Sequence, residues 1–276
     1  MLRMSQSPPI ILVDSLPEGV SDTSLPLGLL SLAGIATDEH RVSVKGLPLE
    51  AEQMDRLLEL IPSTPSLVGF SSICTTYPAT LRILTQVKRA RPMAICILGG
   101  PQATATFQQT MEEFDAVDFV IMGEAEEGLS VFLEYVRGAA RLEDVPGLCY
   151  REHGNVVANP TKPVASLDAL PFPRYDLVAS RIHEDRIPLE AGRGCPFACT
   201  YCSTSQFFGR KYRTKSVPRI LSDIRRLQAS FGVSHIDFIH DMLLADRAWI
   251  DDLCSALTGL SVPIRWSCST RTDFVD

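Results

Sequence analysis

Apolar and polar positions along the first 140 residues follow two alternating rhythms. Short runs dense in aliphatic and β-branched residues read as strands: Pro9 to Asp14, Arg41 to Lys45, Leu67 to Ile73, Ala94 to Leu98 and Phe119 to Met122. Between them apolar residues recur every three or four positions. Met54, Leu57, Leu58 and Ile61 share one face of Ala51 to Ile61, and Leu81, Leu84 and Val87 share one face of Pro78 to Arg91. Pro26 to Ala36, a segment carrying Phe107, Met111 and Phe114, and Glu126 to Arg137 complete the helices. Strand and helix in strict turn predict a doubly wound parallel α/β sheet, because parallel neighbours need a crossover connection.

Ligands on such a sheet sit beyond the carboxyl ends of its strands. The informative loops are therefore Asp14 to Leu27, Ser71 to Tyr77, Gly99 to Gln102 and Gly123 to Glu126. Gly99 and Gly100 let backbone approach a large ligand, and Ser71, Ser72 and Thr75 offer hydroxyl groups. A Gly-Gly after a strand is also the ordinary mark of a tight turn. Neither Gly-x-Gly-x-x-Gly nor a P-loop is present, which argues against dinucleotides and triphosphates.

Residues 141–181 read as a connection between a first domain at 8–140 and a second at 182–276. Gly147 to Arg151 and Val156 to Val157, around His153-Gly154-Asn155, predict a hairpin. Leu170-Pro171-Phe172-Pro173-Arg174-Tyr175 predicts a stiff linker whose rings pack over the junction. Beyond it, Ile187 to Ala191, His235 to Ile239 and Ile264 to Thr270 read as strands. Ser216 caps a helix to Phe231 that places Ile220, Ile224, Leu227 and Phe231 on one face, and Asp246 caps another to Leu257. Seven Lys or Arg against one Asp between Arg210 and Arg226 predict a solvated basic face, the alternative being a docking patch for an acidic electron donor.

Composition narrows the class. The chain has 276 residues, 45% hydrophobic and 21% charged, as ordinary globular proteins do. A net charge of −7 argues against a general nucleic-acid binder. No apolar run is long enough for a membrane span, and Met1 to Pro9 lacks the regions of a signal peptide. Of eight cysteines, Cys74, Cys96, Cys149, Cys254 and Cys268 are scattered singly, several in apolar runs, as small hydrophobes in a reducing cytoplasm would be.

The other three are grouped. Cys195, Cys199 and Cys202 stand four and three residues apart after Gly192-Arg193-Gly194. Thiolates so spaced can fold one loop around a metal or an iron–sulfur cluster. Three protein donors leave a coordination position open, whereas a closed zinc site needs a fourth, for which His183, His235 and His240 are available.

Cys-x3-Cys-x2-Cys with Tyr201 before the last cysteine, an apolar approach from Ile187 to Ala191 and a following basic helix resemble the radical SAM superfamily. The resemblance implies that the three cysteines ligate three irons of a [4Fe–4S] cluster and that S-adenosylmethionine (SAM) takes the fourth. It also makes Tyr201, His240, Asp241 and Arg271 candidate SAM contacts. With the N-terminal sheet, the Gly-Gly-Pro turn and the Gly-Glu-x-Glu turn, nearly the whole chain resembles the cobalamin-binding subfamily. That implies a Rossmann-like sheet holding a corrinoid, with Ser71, Ser72, Thr75, Gly99, Gly100, Gly123 and Glu124 as candidate contacts. Asp-x-His-x-x-Gly is absent and His40 fits no such context, so cobalt would have no histidine from the protein.

The activity implied is reductive cleavage of SAM followed by methyl transfer to an unactivated carbon or phosphorus of a small molecule or peptide. Flavodoxin or ferredoxin would supply the electron. Cyclisation or rearrangement without methyl transfer is the alternative enzyme, and a cluster- or corrinoid-binding protein without catalysis is the third reading. The family's partial barrel has about six βα units, and only two units plus a strand are countable here. The expectation is a fragment, or a barrel completed by a second chain.

Overall fold

Each strand of the first half is followed by a helix, as the pattern predicts, and the reason is visible in what the strands bury. The computed structural model describes residues 7–15, 25–36, 42–47, 51–182 and 186–275. The chain divides into two compact units, Met1–Val164 and Ala165–Asp276.

In the first unit the order is β1 Ile10–Ser15, α1 Leu27–Ile35, β2 Val42–Leu47, α2 Ala51–Leu60, β3 Ser66–Ser71, α3 Tyr77–Ala90 and β4 Ala94–Gly99. Then come α4 Pro101–Ala105, α5 Phe107–Glu113, β5 Phe119–Ile121, α6 Ala125–Val136, β6 Leu148–Glu152 and β7 Asn155–Ala158. The sheet runs β2-β1-β3-β4-β5-β6-β7, parallel through β5. Strand order reverses between β1 and β3, which marks the carboxyl-end crevice there as the place for a ligand. Strand side chains alternate between faces. Val13, Val68, Phe70, Cys96, Leu98 and Val120 bury against Leu57, Leu84, Val87 and Met111 from α2, α3 and α5. Each such side chain contributes about 1.5–3 kcal/mol of hydrophobic burial. The single helix expected around Phe107 is two, α4 and α5, broken at Thr106.

The hairpin forms as predicted but is not a connection. β6 pairs antiparallel with β5, Val120 opposite Cys149 and Ile121 opposite Leu148, so it extends the sheet and covers the open edge of β5. The boundary at 140 therefore moves to Val164. Arg151 fixes the hairpin. Its guanidinium donates to the carbonyls of Met111, Phe114 and Val117, so a cation satisfies carbonyls at the C-terminal end of α5.

The second unit holds β8 Arg186–Glu190, β9 Gly192–Arg193, α7 Thr204–Phe207, β10 Arg213–Thr214, α8 Val217–Phe231, β11 His235–Ile239, α9 Arg247–Thr258 and β12 Arg265–Cys268. β12-β11-β8 form a parallel sheet, and β9 and β10 a two-residue antiparallel ribbon. Both predicted caps form: Ser216 Oγ accepts from the Arg219 amide and Asp246 from the Trp249 amide. The proline-rich segment belongs to this unit. Tyr175 stacks near Phe172 and Phe231 and donates its hydroxyl to the Pro188 carbonyl at 2.7 Å.

The solvated basic face is corrected. Lys215 is only 2% exposed and pairs with buried Asp223, which also takes Arg219 at 2.9 Å. Arg226 lies over the Phe172 ring at 4.1 Å. Burial of a charge is tolerated only with a partner, so part of the apparent excess is internal structure. Among the described residues no helix is long and apolar enough to cross a membrane.

Arg151→Ala is expected to lower stability by about 2 kcal/mol, since several buried carbonyls lose their donor together. A urea titration reads it as a lower midpoint at constant slope.

Candidate functional site

The three parallel strands of the second unit end side by side, and each runs into a segment carrying candidate residues. β8 continues through Ala191 and β9 into the cysteine loop, β11 into His240-Asp241-Met242, and β12 into Ser269-Thr270-Arg271.

The stem of the loop explains Gly-Arg-Gly. A Cβ on Gly192 would collide with the Arg213 carbonyl and lie 2.6 Å from His240 Nε2. Gly194 has φ +81°, and a Cβ there would strike the Lys211 carbonyl. Between them Arg193, 7% exposed, pairs with Glu190 at 2.7 Å. β10 and its approach cross the stem so closely that only glycine admits them.

Cys195, Cys199 and Cys202 are free and half-buried on the loop that follows. The Cys202 amide donates to the Cys199 carbonyl at 3.2 Å, turning the chain between them. Asp241 holds the loop from outside. Its Oδ2 accepts the Gly194 amide at 2.9 Å and its Oδ1 the Thr204 hydroxyl at 3.1 Å. Both carboxylate oxygens thus tie the two ends of the cysteine segment, a role the sequence did not reveal for a residue read as a SAM contact.

His240 is buried rather than open to a ligand. Its Nδ1 accepts the Met242 amide at 2.9 Å, which places the proton of the neutral ring on Nε2. That nitrogen faces the Arg213 backbone without a formed hydrogen bond. The ring packs on Tyr212 at 4.8 Å. Burial pushes its pKa down to about 4, against the smaller opposing pull of the Asp241 carboxylate. Tyr201 stands in solvent, 90% exposed. Arg271 lies beside the loop, its guanidinium 4.3 Å from the Phe197 ring centroid.

Among the described residues no three His, Cys, Asp or Glu side chains stand gathered in metal-ligand geometry. The chemistry of the three thiols nonetheless suits an iron–sulfur cluster. They are three soft donors on one loop whose ends are fixed. Two of the histidines offered for zinc are engaged in other contacts. His235 starts β11, bonded to Ser267 at 3.1 Å, His240 is buried under the stem, and His183 lies outside the described residues. The scattered cysteines differ in kind: burial pushes the Cys96 thiol up to about 12 and the Cys149 thiol up to about 11, which keeps both protonated and inert.

In the first unit the loops beyond β3, β4 and β5 lock into one another. The Ser72 amide donates to the Gly99 carbonyl at 3.0 Å, and the Ser72 carbonyl accepts from Gln102 at 3.3 Å. Gly100, at φ +94°, lies so close that a Cβ would sit 2.6 Å from that carbonyl oxygen. Gly99 has more room, its nearest neighbour being 3.5 Å from a built Cβ. The Gly123 amide donates to Thr104 Oγ1 at 3.0 Å, and Glu124 accepts the Val164 amide at 3.2 Å. Ser72 is buried in this lock, and Ser71 is half-buried. Ile73, Cys74 and Thr75 are exposed, as is Pro101 beyond β4. Ile73, read from the sequence as the end of the strand, lies beyond β3, which closes at Ser71, and is 49% exposed. Most of Asp14 to Leu27, and His40, lie outside the described residues.

Residues 20–133 match the B12 binding domain family. The chain is 28% identical over 260 residues to an uncharacterized methyltransferase of Pyrococcus horikoshii, covering 92% of this chain and 57% of that protein. It is 25% identical over 257 residues to an anaerobic magnesium-protoporphyrin IX monomethyl ester cyclase of Cereibacter sphaeroides, covering 88% and 41% respectively. The chain therefore spans about half the length of these relatives. Its fold matches the cobalamin-dependent S-adenosylmethionine radical enzyme OxsB, solved with aqua-cobalamin and S-adenosylmethionine bound. The TM-score is 0.77 at 21% identity, over 96% of this chain and 39% of that one.

The depressed His240 pKa has a pH consequence. The unfolded chain takes up a proton near the ordinary value of 6.5 and the folded one only near 4. Stability is therefore full above about pH 6.5 and falls as pH drops toward 4, by at most about 1.4 kcal/mol per pH unit. Urea midpoints measured across this window should show that fall, and His240→Gln should flatten it.

Proposed function

We propose that this chain, which carries a B12 binding domain and shares the sequence and fold of cobalamin-dependent radical SAM proteins, is an enzyme that cleaves SAM reductively at a [4Fe–4S] cluster. Cys195, Cys199 and Cys202 would hold that cluster. With cobalamin on the first unit, the outcome is methyl transfer to an unactivated carbon or phosphorus. The observation that carries the reading is the three-thiol loop at the carboxyl end of a parallel sheet, tied at both ends by Asp241.

When bound, the cluster supplies one electron to the SAM sulfonium and cobalamin supplies the methyl group. The protein's own work is placement. Gly192 and Gly194 let β10 brace the stem, Arg193 and Glu190 close it, and neutral His240 fills the space beneath without adding charge. Each tie removes freedom that a cluster would otherwise have to quench on binding. In the first unit the interlocked loops around Ser72, Gly100 and Gly123 present a rigid floor. Ile73 and Thr75 would meet the corrinoid, with Ser71, Gly99 and Glu124 alongside. An acidic one-electron donor such as flavodoxin or ferredoxin fits the exposed Arg210, Lys211 and Arg225, and the setting is a reducing cytoplasm. The substrate is a small molecule or a peptide.

A second reading, cyclisation without methyl transfer, is favoured by the cyclase among the relatives. Anaerobic reconstitution separates the possibilities. About four irons per chain, with sulfide and one cobalt, are expected, and Cys195→Ala, Cys199→Ala and Cys202→Ala should each lose the cluster absorbance. With SAM and a reductant, 5′-deoxyadenosine together with S-adenosylhomocysteine marks methyl transfer, whereas 5′-deoxyadenosine alone marks rearrangement. A loaded cluster that leaves SAM intact marks a binding protein, and stoichiometric zinc sinks all three.

A further inference from the structure

Between Cys195 and Cys199 the loop carries one large side chain, Phe197, and its surroundings are specific. The Arg271 guanidinium lies 4.3 Å from the Phe197 ring centroid and 6.0 Å from that of Phe274. The two rings meet edge to face at 5.5 Å and 68°. Behind the guanidinium, Asp273 accepts from Nε at 3.0 Å and from Nη2 at 2.7 Å. One planar cation therefore has its face on an aromatic ring of the cysteine loop and its fork on a carboxylate two residues away. Asp273 thus takes one of the guanidinium's two bidentate edges, Nε with Nη2.

We propose that Arg271 is a positioning residue of the cluster loop: with Asp273 and Phe274 it holds Phe197, and so fixes the middle of the loop as Asp241 fixes its ends. The proposal rests on the cluster assignment to Cys195, Cys199 and Cys202. It departs from the expectation that Arg271 meets the SAM carboxylate. The arrangement has the parts such a brace needs. The bonds of Asp241 go to Gly194 and Thr204, at the ends of the segment and outside the Cys195–Cys199 interval. A cation over a ring supplies a directional contact at a partly exposed surface. Asp273 orients the guanidinium and offsets its charge, so the effect on the loop is mainly mechanical.

The test needs no turnover. Wild type, Arg271→Lys, Phe197→Leu and the double variant are loaded anaerobically without SAM, and iron release to a chelator is timed. Amide exchange across residues 194–204 is measured in the metal-free proteins. Lysine keeps the charge and loses the planar stack and the fork. Each single variant should release iron about two- to fivefold faster, the ratio a partly exposed cation–π contact supports. Exchange in the loop should rise by a similar factor, and the double variant should be no worse than the worse single one. Unchanged iron release and exchange in Arg271→Lys, together with a tenfold loss of SAM affinity, would instead make Arg271 a ligand contact and overturn the brace. If wild type takes up no cluster, the function proposed above fails, while exchange in the metal-free loop still decides the brace.

Discussion

One carboxylate holding two ends of a loop is the constraint on which the rest of the second unit depends. A segment with three cysteines and little bulk has many conformations, and a cluster that had to select among them would bind weakly. Asp241 reduces that freedom by accepting the Gly194 amide with one oxygen and the Thr204 hydroxyl with the other. It stands there because β11 runs parallel to β8 and ends at the same level. The stem follows the same logic. Two glycines admit the backbone of β10 and the His240 ring, and the pair of Arg193 with Glu190 seals the side.

The first unit uses a different device for a related purpose. Its ligand-end loops are joined not by an acid but by backbone bonds from loop to loop, Ser72 to Gly99, Gln102 to Ser72, and Gly123 to Thr104. Gly100 is required there for contact with Ser72 within the protein. Loops tied this way are held in place by one another. Charge is handled internally in both units: Arg151 on the carbonyls around the end of α5, and Lys215 with Asp223 under α8.

The elements were legible because burial imposes their periods. The unbroken apolar run Ile10–Val13 follows from burial on both faces of a parallel sheet, the three-and-four spacing in Tyr77–Ala90 from one helix face on the core, and the caps at Ser216 and Asp246 are local chemistry. The hairpin was legible as a hairpin, but its partner β5 was not, since pairing across a distance leaves no mark in a short window. The basic stretch misled for the same reason. Asp223 is near Lys215 in sequence, yet whether a lysine is solvated or buried depends on what packs over it.

The sequence by itself determined that three thiols share one short loop, that glycines flank its entry, and that two α/β segments follow one another. Those are properties of spacing and residue type, and no folding can alter them. Only the tertiary structure decided what surrounds the loop. It turned Asp241 from a free acid into a strap, buried His240 as a neutral filler, left Tyr201 in solvent and laid Arg271 across Phe197. The reason is distance along the chain. These groups stand up to about seventy residues apart, and they become neighbours only because parallel strands end at one edge and carry their following loops to the same place.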